Sequence, residues 1–176
     1  MTPIWSLKTM RLMEMLDLVA INQNSPYVVL FDGTSYVFDT CNGARIAVAF
    51  APQQTVAFLN GYWLGIENQN GIPTLSDKNV RKTVFCILEE FFHNNPDYLL
   101  YICEYKDDRQ EIRNRMFRSW FNSYEYKERF FFMSKQTKYQ DNETYVSLIV
   151  AKNNYMYDEI KGFFDEVVEL FNRDKP

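Results

Sequence analysis

Tyr98-Leu99-Leu100-Tyr101-Ile102-Cys103 runs into a charged turn, Glu104-Tyr105-Lys106-Asp107-Asp108. Arg109-Gln110-Glu111-Ile112-Arg113-Asn114-Arg115-Met116-Phe117-Arg118-Ser119-Trp120-Phe121 follows. Six uninterrupted apolar residues read as a strand buried on both faces. The Arg-rich stretch reads as a helix: at about 100° per residue, Ile112, Met116, Phe117, Trp120 and Phe121 fall on one face. Arg113 falls near the middle of that face, while Arg115 and Arg118 point away. A guanidinium set among apolar side chains needs a carboxylate or several carbonyl acceptors. Glu104, Asp107 and Asp108 are the nearest candidates. A doubly buried strand delivering its chain into an amphipathic helix implies a sheet with helices packed on it.

Working outward, the pattern predicts a first helix over about residues 4–21, with Pro3 suited to the first turn and Ser25-Pro26 ending it. Antiparallel strands follow at 27–31, 35–40 and 44–50. They are joined through Asp32-Gly33 and Asn42-Gly43, dipeptides that favour the positive φ of tight hairpins. A long strand is expected near 55–66 and a polar loop over 68–76. The second helix should occupy 77–93, capped by Ser76, with Val80, Val84, Ile87, Leu88 and Phe91 as its apolar stripe. After the Arg-rich helix come strands near 126–133 and 144–151, separated by a polar, mobile loop at 134–143. A last helix over 155–172 turns Ile160, Phe163, Phe164, Val167 and Phe171 inward. The expectation is a single α+β domain over 26–172, a mixed, largely antiparallel sheet with three to four helices, and a frayed tail at 173–176. Met10, Met13 and Met15 could each be alternative starts, so part of residues 1–25 could be dispensable.

The chain has 176 residues, 47% of them hydrophobic and 17% aromatic, which excludes disorder and predicts a core built from rings. A net charge of −4, with no dense Lys/Arg cluster, argues against a nucleic-acid partner. No stretch has the length and apolarity of a membrane helix. Cys41, Cys86 and Cys103 form an odd set without CxxC spacing, which reads as unpaired thiols in a reducing cytosol. With His93 as the one histidine, a zinc site of the usual kind and a His-based triad both find too few ligands or bases. Its place at a helix end suits a dipole-stabilising role. No cofactor is expected.

Three stretches carry a resemblance to a family. They are Tyr36-x-Phe38-x-Thr40 continuing through Asn42-Gly43, Thr83 with the helix ending Phe91-Phe92 and Asn95, and Ile102-Cys103 followed by Asp107, Arg109-Gln110, Arg113, Arg115, Phe117 and Trp120-Phe121. Together they resemble an uncharacterised family of Bacteroidetes-type bacterial proteins, domain of unknown function 6169. Glu104 and Asp108 depart from it, standing where Asp and Gly are commoner. The family implies no assigned activity. A second likeness is topological. The succession strand, helix, strand, helix, strand, strand over 55–151 looks like the C-terminal part of GNAT-type N-acyltransferases, so a GNAT-like arrangement is expected there. In those enzymes a Gly-rich loop opening a helix holds the cofactor pyrophosphate on backbone amides. The matching place here, Asn70-Gly71-Ile72-Pro73-Thr74-Leu75-Ser76, has one Gly and a Pro that removes a donor. A Tyr often serves as general acid on the following helix; Phe117 stands there and has no proton to give.

The candidate ligand-binding residues are therefore Glu104, Asp107, Asp108, Arg109 and Arg113. They read either as a structural helix start whose carboxylates suit the dipole or as an anion site on Arg109, Arg113 and free amides. Cys103 reads as an inert core thiol before it reads as a nucleophile. Tyr62 and Trp63, adjacent on one strand, point to opposite faces. They are the candidate interaction surface, with the 134–143 loop. Two functional classes remain: a cytosolic, non-catalytic module that binds a protein or itself, and a degenerate acyltransferase-like enzyme or binder of a CoA- or nucleotide-type ligand.

Overall fold

The alternation of apolar and polar positions from residue 27 onward requires a sheet with two distinct faces, and the computed structural model shows it. The structure describes residues 13–53, 61–74, 76–103, 108–139 and 142–173. The expected helix over 4–12, the strand residues 55–60, Glu104, Asp107 and the tail 174–176 lie outside these. Helix α1 spans Leu18–Asn24, then come strands β1 (Leu30–Phe31), β2 (Tyr36–Asp39), β3 (Arg45–Pro52) and β4 (Gly61–Asn68). Helix α2 (Lys78–Asn94) leads to β5 (Tyr98–Cys103), and α3 (Gln110–Asn122) to a single 3-10 turn at Lys127–Arg129. β6 (Phe130–Tyr139), β7 (Asn142–Ala151) and α4 (Tyr157–Arg173) complete the chain, confirming the mixed α+β class.

The described strands form one sheet in the order β1-β2-β3-β4-β5-β7-β6. Every neighbouring pair is antiparallel except β4 and β5, which run parallel because α2 carries the chain back between them. That parallel ladder runs from Gly61 opposite Tyr98 to Leu64 opposite Tyr101. Beyond it, Gly65–Asn68 stay with β3 while Ile102 and Cys103 stay with β7, so β4 and β5 part.

One face of the sheet (Tyr36, Val48, Leu64, Tyr101, Ile149) packs against α1, α2 and α3. The other (Tyr98, Leu100, Leu148, Val150) packs against Ile160, Phe163, Phe164 and Val167 of α4. β5 is thus covered on both sides, as its apolar run requires. The stripe of α2 is buried as read: Val80, Val84, Ile87, Leu88 and Phe91 are each under 5% exposed. Each such side chain contributes about 1.5–3 kcal/mol on leaving water. Phe91 is enclosed by rings, stacked on Phe50 with centroids 4.7 Å apart and edge-on to Tyr62 at 5.6 Å.

Several boundaries differ from expectation, each for a physical reason. Residues 13–17 are not helical and α1 begins only after Asp17, whose carboxylate accepts the Val19 amide at 2.8 Å. This segment is docked, with Leu16 in the core and its amide donating to the Tyr36 hydroxyl at 2.9 Å. α2 is capped by Asp77 instead of Ser76, which adopts φ 59°. The described residues of the polar stretch 134–143 lie in strands: Ser134 pairs Ser147 and Lys138 pairs Glu143 in one ladder, so β6 and β7 form a long antiparallel pair. Polar composition there marks a sheet edge, since β6 has a neighbour on one side only. Phe130, Phe131 and Phe132 are accordingly half-buried. Phe171 belongs to α4, but its side chain is outside the description.

Candidate functional site

α2 begins beside the place where β4 and β5 separate, and a helix N-terminus is the natural seat for an anion. Here it is already filled. The Asp77 carboxylate accepts the Asn79 amide at 2.8 Å and a bond from the Tyr27 hydroxyl. That bond, above all, pushes the Tyr27 phenol up to about 12. The preceding loop spends its amides internally. Asn68 Oδ1 accepts from Gly71 N at 3.0 Å, and Asn70 Oδ1 from Ile72 N at 3.3 Å and Arg45 N at 3.1 Å. The side-chain amides of Asn70 and Asn42 donate to Gly43 O at 2.8 Å and Pro73 O at 2.6 Å, stitching the loop to the β2–β3 hairpin.

The start of α3 holds the described remainder of the charged turn. Asp108 is exposed with φ 55°, a strained conformation for a residue with a Cβ. Arg109 occupies the cap position without a side-chain cap bond and is also exposed. Arg113 is half-buried, and α3 is rotated from the sequence reading. Its buried residues are Asn114, Phe117 and Phe121, while Ile112 is 56% exposed and Met116 42%. Ser134 reaches across from β6 to donate to Asn114 Oδ1 at 2.7 Å, which explains how an asparagine takes the inward position.

Burial pushes the Cys103 thiol up to about 11, with the nearby Arg113 charge pulling weakly the other way. A thiol so placed stays protonated at neutral pH and makes a poor nucleophile. Phe117 stacks on Tyr101 with centroids 4.6 Å apart and supplies packing alone. Tyr62 is only 3% exposed and lies in the core, so it does not belong to a surface; Trp63 is half-buried against the α4 side.

A site that the sequence reading passed over lies at the opposite end of α2. A cleft of about 590 Å³ opens between α1, the last turns of α2 and the junction of β6 with β7. Ile21, Phe92, Phe130 and Ala151 give it apolar surface; Glu89, Glu90, Arg129 and Lys152 give it charge. The Tyr124 hydroxyl donates to Glu89, and Tyr124 itself stacks on Phe85 with centroids 4.4 Å apart. Burial pushes the Glu89 carboxyl above its usual range, partly offset by the Arg129 charge. Glu90 Oε1 accepts the Asp17 amide at 3.3 Å and the Asn94 side-chain amide. Arg129 lies 4.2 Å from the Tyr126 ring centre, a cation–π contact. His93 stands exposed at the rim, in the last turn of α2. The sequence signal was present: Glu89-Glu90 interrupts an apolar helix one turn before that histidine.

Among the described residues no group of three metal-ligating side chains comes together, and no helix is long and apolar enough to cross a membrane. The model of a family of unknown function, DUF6169, matches residues 76–166. The match takes in α2, β5, α3, β6 and β7, and two of the three stretches that suggested it; the Tyr36–Thr40 stretch falls outside. No curated protein matches the chain.

Proposed function

Since the chain belongs to the DUF6169 family of unknown function, we propose that it is a non-catalytic binding module of a Bacteroidetes-type bacterial cytosol, built on a GNAT-like frame. The observation that carries this reading is the state of the α2 N-terminus. In an acyltransferase of that kind the cofactor pyrophosphate would sit there; Asp77 puts a carboxylate in its place, and Asn68 and Asn70 take up the loop amides. A diphosphate would have to displace a part-buried phenol–carboxylate pair and meet its negative charge. Phe117 supplies no proton and the Cys103 thiol is held neutral, which removes the two nearest reactive groups. Cys41, Cys86 and Cys103 are unpaired, in keeping with a reducing compartment.

Glu104, Asp107, Asp108, Arg109 and Arg113 take the structural role in this reading, because two or more carboxylates at a helix start repel an anion and complement the dipole. A protein partner or a second copy would find Trp63, Ile112 and Met116 as partly exposed apolar contacts. The test is a thermal-shift and turnover assay with acetyl-CoA and a broad amine panel. The expected result is no release of free thiol and no stabilisation. A ligand at a hundredfold excess over its dissociation constant would stabilise the fold by about 2.7 kcal/mol. Thiol release abolished by Arg113→Ala in a folded protein overturns the reading.

One observation favours the alternative, an acyltransferase-like binder of CoA or a nucleotide. β4 and β5 run parallel and part after Leu64 and Tyr101, and a strand separation of this kind is where open α/β sheets commonly bind a ligand. Stabilisation by coenzyme A without turnover would select it.

A further inference from the structure

We propose that the cleft between α1, the end of α2 and the β6–β7 junction binds a small zwitterion, a free α-amino acid or a short peptide with both termini free. This deepens the binding reading above and rests on it. Two walls of the cleft carry opposite charge. The acidic wall is Glu89 and Glu90, consecutive on α2, each oriented by a fixed donor: the Tyr124 hydroxyl for one, the Asp17 amide for the other. The basic wall is Arg129 and Lys152, brought side by side because Phe130 pairs with Ala151 and Lys152 N donates to Arg129 O at 2.9 Å.

Among the described residues the two walls form no salt bridge with each other. Arg129 rests on the Tyr126 ring, and Lys152 reaches only the exposed Glu128, at 3.9 Å. Opposite charges held apart across a cleft each keep hydrogen-bonding capacity, which a partner can use without first breaking an ion pair. A simple amine would meet Arg129 and Lys152; a simple carboxylate would meet Glu89 and Glu90. A molecule carrying both groups a few bonds apart satisfies both walls, with ammonium toward α2 and carboxylate toward the strand ends. The apolar floor of Ile21, Phe92 and Phe130 receives its side chain. The volume of about 590 Å³ accommodates more than a single small residue.

The experiment is an amide-resolved NMR titration of the full chain with L-leucine and the dipeptide Ala-Leu, run beside N-acetyl-leucine and leucinamide. The expected result is saturable shifts confined to the amides around Glu89, His93, Arg129 and Lys152. Each blocked probe should bind at least about tenfold more weakly, and Glu89→Gln and Arg129→Gln should each weaken the zwitterion by a similar factor. Glu89→Gln keeps an acceptor for Tyr124 and Arg129 is exposed, so both variants should fold; a single cooperative melting transition and native amide dispersion in each confirm it. No shift by about 50 mM of either zwitterion, or equal binding of the blocked forms, overturns the proposal. Failure here, with acetyl-CoA inert, removes only the zwitterion; acetyl-CoA turnover removes the non-catalytic reading and leaves this titration to be judged separately.

Discussion

β4 and β5 begin together and end apart, and the two ends of that pair differ in what their polar groups have left to offer. At the joined end, Gly61 lies against the Tyr98 ring so closely that a Cβ would come within 2.2 Å of it. On the α1–α2 face of the sheet sits a cleft whose opposite charges, among the described residues, form no salt bridge across it. At the parted end the geometry is open, yet Asn68, Asn70 and Asp77 accept from the Gly71, Ile72 and Asn79 amides that could have received a ligand, and the Tyr27 hydroxyl donates to Asp77. An opening between strands is therefore a poor guide to a site. Hydrogen-bonding capacity that the fold has not used is a better one.

The largest effect that would break this comparison comes from two glycines of the same strand. Gly61→Ala drives a methyl into a ring with no exposure, and overpacking of this sort costs about 1–3 kcal/mol or more. Gly65→Ala, past the separation, meets only Ala49 at 4.0 Å and should stay within about 0.5 kcal/mol by urea unfolding. Equal costs would mean that β4 and β5 are not clamped where the register places them. Next comes the cap: Asp77→Ala removes the α2 cap and the partner of Tyr27 and should cost about 1–2 kcal/mol. A stabilised Asp77→Ala protein would show that the carboxylate is held there for a ligand and strains the fold.

A smaller and pH-dependent effect belongs to the cleft. Glu89 has its carboxyl pushed up in the folded state, chiefly by burial, so ionising it works against folding. Its favourable contribution is fully present below the unfolded carboxylate pKa and is lost as pH rises through the raised folded value. Glu89→Gln stays neutral, so the variant should gain on the parent in melting temperature as pH climbs out of the carboxylate range. A parent that gains instead would mean that the Arg129 charge outweighs burial. The smallest effect is at Ile112, exposed on α3, where Ile112→Ala should change stability by no more than about 0.5 kcal/mol.

The fold was legible wherever one face of an element had to be apolar. β5 matched its six residues, α2 its stripe, and the Asn42-Gly43 turn its positive φ, with Gly43 at 85°. Legibility failed where a side chain's meaning depends on its partner. The rotation of α3 could not be read because Asn114 is acceptable inside only once Ser134 faces it from β6. The Ser134–Glu143 stretch looked like a loop because an edge strand needs no apolar alternation on its open side. The candidate site suffered most, since Arg129 and Lys152 become neighbours only through the register of β6 on β7, and meet Glu89 only where that end of the sheet packs beside α2.

The claim that the parted end is closed by the chain's own groups is tested most directly by an amide-resolved NMR titration with acetyl-CoA, following Gly71, Ile72 and Asn79. The expected result is no saturable movement of these three amides, each already bonded to Asn68, Asn70 or Asp77. Saturable shifts at Gly71 and Asn79, appearing together with the loss of the Tyr27–Asp77 bond, would contradict it.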